Sequence, residues 1–431
     1  MIRILDKVKC CGCEACVQIC PKHCIAFEQD SEGFRYPLVD ETKCIDCGLC
    51  EKVCPVLNID EARKPLSSYA ALNENEEERL KSSSGGIFIL LAKRTIAEGG
   101  VVFGAKFDEH WNVVHAFAEN ETELTAFMGS KYVQSRIRDT FFQAKNYLNS
   151  GRRVLYSGTP CQIAGLKKFL RKEYDNLLTV DVICHGVPSP SVWQHYLEEI
   201  KQNALKGENT VSPPLKPIVS GCDTLIGENS VVIESISFRD KRLGWKKHSF
   251  ALTLAKATAD GKPNTVSLSH IHREDPFFIG FNDWSLYLRP ICYSCPFRKL
   301  RSGSDLTLAD FWGIETLKPE MDDNKGISVL LLNTPKGRDM VQELHLKKKE
   351  VGYSDVVKRN KAVVCSFSQA PRSFLDVIRY RKVFKTKREY FFYDQKHTVA
   401  EKVRILCRRR LRDCFMNLPK RILTRLYKLF K

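Results

Sequence analysis

The chain has 431 residues, 43% of them hydrophobic, with 68 Lys/Arg against 51 Asp/Glu and a formal charge of +17. That length predicts two or three domains, and no apolar run approaches the ~18 residues of a membrane-spanning helix. From Arg379 onward 18 Lys/Arg meet only four acids, so the tail carries +14 of the charge and the rest of the chain is close to neutral.

In chain order, the first 54 residues hold ten of the 18 cysteines, and eight of these write one spacing twice. The copies are Cys10-x2-Cys13-x2-Cys16-x3-Cys20-Pro21 and Cys44-x2-Cys47-x2-Cys50-x3-Cys54-Pro55. Four thiolates so spaced can wrap an iron–sulfur cubane, and in two-cluster ferredoxins the fourth cysteine of each run ligates the other run's cluster. The spacing therefore predicts two [4Fe-4S] clusters, one on Cys10, Cys13, Cys16 and Cys54, the second on Cys20, Cys44, Cys47 and Cys50. Zinc prefers two ligand pairs across a longer loop, which fits three cysteines in close succession poorly. Cys11 and Cys24 lie off the pattern and read as ordinary thiols. Met1–Asp6 lead straight into the cysteines without a secretory signal, which predicts a reducing cytoplasm over a disulfide framework.

Residues 1–60 form the expected ferredoxin-type domain, followed by a polar linker, Asp60–Pro65. From about residue 68 helix and strand patterns alternate. A helix is expected over Ile87–Ala97 and a strand at Val101–Gly104. The strand Arg152–Ser157, the helix Gln162–Leu170 and the strand Leu177–Ile183 would complete a βαβ unit. Residues 203–230, rich in Gly, Pro, Ser and Asn, read as a loop or insertion. Ser235–Arg239 and Ser249–Leu254 alternate like antiparallel strands. The fold class is α/β (α+β overall): a small two-cluster module, an α/β body with some antiparallel sheet, in parts 68–150 and 151–340, and a basic helical tail, 341–431.

Several motifs in the body carry a resemblance. These are Gly129-Ser130-Lys131-Tyr132-Val133-Gln134-Ser135, Gly158-Thr159-Pro160-Cys161-Gln162, Ile183-Cys184-His185-Gly186-Val187-Pro188-Ser189-Pro190 and Ile236-Ser237-Phe238-Arg239-Asp240-Lys241. Cys292-x2-Cys295-Pro296 and Asp305–Gly313 follow in order. Over roughly residues 1–340 the chain resembles the beta subunits of coenzyme F420-reducing hydrogenases and formate dehydrogenases, in the bacterial form with a fused ferredoxin domain. The resemblance implies an iron–sulfur flavoprotein oxidoreductase with FAD on the α/β body. Some members exchange hydride with F420, plant relatives reduce a chlorophyll derivative, and similar bacterial reading frames are linked to surface-polysaccharide synthesis. Nothing in the chain reports whether its host makes F420.

The residues themselves suggest a third cluster. Cys161 follows one expected strand and Cys184 ends the next, so both thiols would reach the carboxyl edge of a parallel sheet, where ligands collect. Cys292 and Cys295 would complete four ligands for a third [4Fe-4S] cluster; the alternative is free cysteines beside a zinc-like or idle pair. No G-x-G-x-x-G follows a strand and no P-loop is present. Ser82, Ser83, Ser84, Gly85 and Gly86 run into a helix start, which could cradle a pyrophosphate or act as a plain N-cap. Gly129, Ser130, Lys131 and Tyr132 offer a cation and an aromatic face for the same flavin. His185 could carry the proton that accompanies hydride transfer or hydrogen-bond near a cluster. Asp310 and Trp312 read first as packing or turn residues.

In the tail, Arg408–Arg412 precede Ile422, Leu423, Leu426, Leu429 and Phe430, interleaved with Arg421, Arg425 and Lys428. This basic amphipathic pattern reads first as a surface for an anionic membrane, at the inner face of which the protein would sit peripherally. Docking on the body is the alternative, and nucleic acid comes third because no reading motif accompanies the charge. The expected partner is a redox protein such as ferredoxin. The competing function is an electron-transfer adaptor that serves a partner enzyme and has no substrate site of its own.

Overall fold

A computed structural model describes residues 1–205, 216–217, 231–256, 264–366, 391, 397–403 and 405. The loop expected at 203–230 and the basic amphipathic segment of the tail fall almost wholly outside these residues, as does Cys222.

The N-terminal module is built on an antiparallel hairpin, β1 (Ile25–Gln29) and β2 (Arg35–Val39), with two short helices, Ala15–Ile19 and Leu49–Lys52. Each helix starts one residue before the third cysteine of its run. The residue before each helix, Glu14 or Gly48, is in the left-handed region (φ 59° and 68°), so both runs turn in the same way.

The body is an eight-stranded mixed sheet. Its strands are β3 (Ser67–Leu72), β4 (Val101–Phe107), β5 (Val113–Ala118), β6 (Val154–Gly158) and β7 (Leu177–Val182). A second, four-stranded antiparallel sheet contains β8 (Lys216–Pro217), β9 (Val231–Asp240), β10 (Ser249–Lys256) and β11 (Asn264–Ile271) in the order β8-β11-β10-β9. The chain then returns to the large sheet as β12 (Leu306–Asp310), β13 (Ser328–Leu332) and β14 (Lys347–Glu350), giving the order β14-β3-β13-β12-β7-β6-β4-β5. The centre, β12-β7-β6-β4, is parallel, and antiparallel strands flank it on both sides.

The expected βαβ unit is present as β6, the helix Pro160–Leu170 and β7. Val154, Leu155 and Tyr156 on β6 are all fully buried, as befits a strand covered on both faces. Helix Ile87–Ala97 matches its expected bounds, and β9 and β10 are the antiparallel strands expected around Ser235 and Ser249. The structure is thus α/β with a second antiparallel sheet.

The module packs on the body through specific contacts. Gln18 Oε1 accepts from the backbone N–H groups of Phe141 and Phe142 (3.1 Å each). It thereby caps the helix Thr140–Asn149, whose preceding Asp139 makes no cap. The Glu14 carboxylate accepts from the N–H groups of Ile137 and Arg138. Gly165, inside the helix after β6, makes room for Cys13. A Cβ there would stand 2.8 Å from the Cys13 Cβ and 3.0 Å from its Sγ.

Candidate functional site

The cysteines of the duplicated run gather in two places within the N-terminal module. Cys16 lies within electrostatic reach of Cys10, Cys54 and Cys50, and Cys13 within reach of Cys16 and Cys54. Cys20, Cys44, Cys47 and Cys50 line a separate small cavity near the surface, where Cys47 is exposed. Backbone N–H groups already point at two of these sulfurs, from Ile2 to Cys50 (3.3 Å) and from Asp46 to Cys44 (3.4 Å). Burial, then the neighbouring Cys10, Cys54 and Cys50, push the Cys16 thiol well above its ordinary pKa. Such a thiol keeps its proton until a metal takes the proton's place.

Neither off-pattern cysteine is isolated. The Cys24 Sγ lies 3.4 Å from that of Cys20 and lines the outer cavity. Cys11 interacts with Cys13 on one side and Cys161 on the other. Sequence spacing hid this, because the residue that Cys11 meets lies 150 positions away.

A second narrow cavity, about 40 Å³, is lined by Cys161, Cys184, Cys292 and Cys295, with Cys11 at its edge. The four come from separate places. Cys161 is in the first turn of the helix after β6, Cys184 is two residues past β7, Cys292 lies within the helical turn Pro290–Ser294 and Cys295 directly follows it. The parallel strands bring the first two to one sheet edge, as their positions predicted. Burial, with Cys292 next, holds the Cys184 thiol well above its usual range, and burial lifts Cys292 to about 12. Arg298 fixes the loop after β7 by donating to the carbonyl oxygens of Cys184, His185 (3.1 Å) and Ala362 (2.6 Å). Among the described residues no three His, Cys, Asp or Glu side chains converge closely enough for a single metal ion.

A large cavity of about 760 Å³ adjoins the cysteine cavity, and Cys184, Gly186 and Val187 line both. It lies over the carboxyl ends of β6, β7 and β12. Ser83, Ser84 and Gly86 face it, as do Gly129, Ser130, Lys131, Tyr132 and His185. The two motifs, more than forty residues apart, meet directly: the Ser130 hydroxyl donates to that of Ser83 at 2.8 Å. Gly86 (φ 79°) precedes the helix Ile87–Ala97, and no side chain caps that helix, so its first-turn N–H groups suit an anion.

Several predicted residues sit differently from their expectation. Gly85 turns away from the cavity. A Cβ there would come within 2.5 Å of the Ala71 carbonyl oxygen, so its close approach is to the sheet itself. The Ser84 hydroxyl donates to Ile327 O (2.8 Å). The Lys131 ammonium is turned onto the carbonyl oxygens of Ala126 (2.8 Å), Met128 (2.9 Å) and Gly129 (3.3 Å), and desolvation lowers its pKa to about 7. It closes its own loop and is not free to meet a phosphate. The Tyr132 hydroxyl accepts from Arg239 at 3.2 Å, and its ring packs on Phe238, Phe278 and Phe281. His185 meets the Ser285 hydroxyl at 3.1 Å, and burial, then Arg298, lower its pKa to about 4.

Other residues of the cavity wall carried little sequence signal. Arg239 is buried, pairs with both Asp310 oxygens (2.6 and 3.0 Å) and lies 5.3 Å over the Trp312 ring. Asp310 also accepts from Trp245 Nε1 (2.9 Å), and Trp312 stacks on Trp245 at 4.7 Å. Both are packing residues that line the cavity as well. His115 Nε2 donates to Ser157 O (3.0 Å), while its buried Nδ1 has no partner among the described residues. His248 and His272 stack at 4.0 Å where β10 and β11 reach the cavity.

With this geometry in place, two family models match parts of the chain. A family model for the C-terminal part of the coenzyme F420 hydrogenase/dehydrogenase beta subunit matches residues 151–357, and a 4Fe-4S dicluster domain matches residues 9–58. The chain is an iron–sulfur electron-transfer protein related to the F420 hydrogenase beta subunit. The dicluster match contains all eight cysteines of the duplicated run. The beta-subunit match contains Cys161, Cys184, His185, Arg239, Cys292, Cys295 and Asp310, and stops short of the Ser83 and Ser130 loops. A chain of the F420-reducing [NiFe] hydrogenase complex from Methanosarcina barkeri aligns at 14% identity with a TM-score of 0.41, covering 79% of this chain and 98% of its own length. No curated protein matches the chain. Among the described residues of this beta-subunit relative, no helix is long and apolar enough to cross a membrane.

Proposed function

We propose that the chain is an FAD- and iron–sulfur-dependent oxidoreductase. In this reading the dicluster domain receives electrons singly from a redox protein such as ferredoxin and passes them to a third [4Fe-4S] cluster on Cys161, Cys184, Cys292 and Cys295. That cluster reaches FAD in the large cavity. The observation that carries the reading is the shared wall: the loop Cys184–Val187 lines both the cysteine cavity and the 760 Å³ cavity.

The residues present fit both groups. Four thiols line one cavity, where burial and then neighbouring thiols oppose the ionisation of Cys184 and Cys292, and thiolates are the ligands that iron–sulfur clusters take. The large cavity has an uncapped helix start and paired serine hydroxyls at one end, with aromatic and cationic residues at the other. FAD, when bound, supplies the conversion between one-electron carriers and a two-electron organic reduction. The chain's own residues then do the positioning. Arg298 fixes the Cys184 loop, Lys131 holds the loop that carries Ser130, and Arg239 orients Tyr132 and Asp310.

The net reaction adds two electrons and two protons to the substrate, and two donor molecules are each oxidised by one electron. His185 borders the cavity as the candidate proton carrier. The imidazoles of His248 and His272 with the exposed Arg273 give the cavity hydrogen-bonding and cationic groups for an organic anion. A precursor of surface polysaccharide is the substrate class the resemblance points to, with F420 as a second arm of the substrate test.

Anaerobic purification followed by iron and flavin analysis tests the reading. It predicts about twelve irons and one FAD per chain. About eight irons and no flavin would leave an electron-transfer adaptor.

A further inference from the structure

The side chain at the joint between module and body is an arginine that, among the described residues, hydrogen-bonds to no carboxylate. Arg289 is 1% exposed. Its Nε donates to the Cys10 carbonyl oxygen (2.8 Å), Nη1 to Gln134 Oε1 (3.0 Å) and Nη2 to the Arg35 carbonyl oxygen (2.8 Å). Nη2 also points at the Cys10 sulfur at 3.4 Å. The guanidinium lies over the Tyr36 ring, 4.3 Å from its centroid. Gly12, at φ 72°, leaves the space: a Cβ there would fall 2.8 Å from Nη1.

A buried cation needs a counter-charge, and removing it from water costs several kcal/mol. None of these partners supplies one except the Cys10 sulfur, once that sulfur is a thiolate on a cluster. The cluster gains one electron on reduction, with no bond made or broken. A fixed positive charge against a ligand sulfur stabilises the added electron, and burial keeps that interaction from being screened. Hydrogen bonds to ligand sulfurs act in the same direction. The outer cavity's sulfurs also receive N–H groups, from Ile2 and Asp46, but among the described residues no buried side-chain cation lines that cavity. Its nearby cations, the Met1 amine and Lys22, stand at the surface, and the amine is paired with Asp46 at 2.9 Å.

We propose that Arg289 sets the potential of the cluster held by Cys10, raising it so that electrons entering at the outer cluster fall inward. The same residue positions the joint, since its backbone N–H donates to Val187 O and its carbonyl oxygen accepts from Cys292, both at 2.9 Å. One side chain thus grips the inner cluster of the module while its backbone opens the turn that carries Cys292. The proposal rests on Cys10 as a ligand of the dicluster domain, and it stands whether or not a flavin or a third cluster is found.

The test is a redox titration of the anaerobically purified full-length holoprotein, followed by electron paramagnetic resonance, on the wild type, Arg289→Gln and Arg289→Lys. Arg289→Gln is expected to lower the midpoint of one cluster so that its reduced fraction relative to oxidised falls about tenfold at the wild-type midpoint, ~59 mV for one electron. Arg289→Lys, which keeps the charge and loses the forked contact, should give a smaller fall in the same cluster. Unchanged midpoints in Arg289→Gln with wild-type iron content would overturn the proposal. So would an equal fall in every cluster. Loss of dicluster iron from both variants would make Arg289 an assembly residue and would also defeat the tuning role.

Discussion

Gly165→Ala places two opposing effects in competition. Gly165 lies inside the helix Pro160–Leu170, where alanine would ordinarily stabilise by about 1 kcal/mol. The added methyl, however, would stand 2.8 Å from the Cys13 Cβ and 3.0 Å from its sulfur. Optimal carbon–carbon separation is about 3.5–4.0 Å, so the contact is too short by roughly 0.7–1.2 Å. Overpacking of this kind costs about 1–3 kcal/mol, which cancels or exceeds the helix gain. Cys13 cannot retreat freely, because its chain is held by the Glu14 and Gln18 contacts, and the proposed bond to a cluster would hold its sulfur as well. The expected result is loss of about four of the roughly eight irons of the dicluster domain, with no gain in thermal midpoint. Iron per chain and the resonance spectrum of the dithionite-reduced protein are the assay. A Gly165→Ala protein with full iron content and a raised melting temperature would refute the packing of module on body described here.

Replacing Cys184 or Cys292 by Ala should remove about four irons and leave about eight, whereas Cys365→Ala, outside that cavity, should leave iron unchanged; iron per chain distinguishes them. Arg239→Ala strands Asp310 in the cavity wall and should destabilise the fold by about 3 kcal/mol, with FAD lost on gel filtration, and a variant that keeps its flavin would argue against this wall of the site. Burial lowers the pKa of His115 to about 4, against about 6.5 in an unfolded chain. The unfolded state therefore binds the extra proton between those values, so this contribution is complete above about pH 6.5 and declines as the pH falls toward 4. His115→Phe should remove about 2 kcal/mol of the acid destabilisation between pH 7 and 5, seen as a smaller drop in urea midpoint than the wild type shows.

The parts of this molecule that sequence made legible are those whose logic is local or follows strand order. The duplicated cysteine run is a spacing that one cluster imposes on a short segment, and it needs no tertiary information. Cys161 and Cys184 were placed at one sheet edge because consecutive parallel strands end on the same side. What escaped depended on distant contacts. Cys11 reads as out of register until the helix after β6 brings Cys161 beside it. Arg289 is one basic residue among many until the module folds back over it. Lys131 shows the converse limit: its type promised a free cation, but three carbonyl oxygens of its own loop and neighbours claim the ammonium. Charge in a sequence does not say where a long side chain will turn.

The proposed route for electrons runs without a break from the duplicated cysteine run to a two-electron cofactor in the large cavity. Counting the electrons that the oxidised, anaerobically prepared full-length protein accepts in a dithionite titration tests it most directly. A complete route takes up about five electron equivalents per chain, one for each of three clusters and two for FAD, with bleaching of the flavin absorbance. About two equivalents with no flavin bleaching would contradict it.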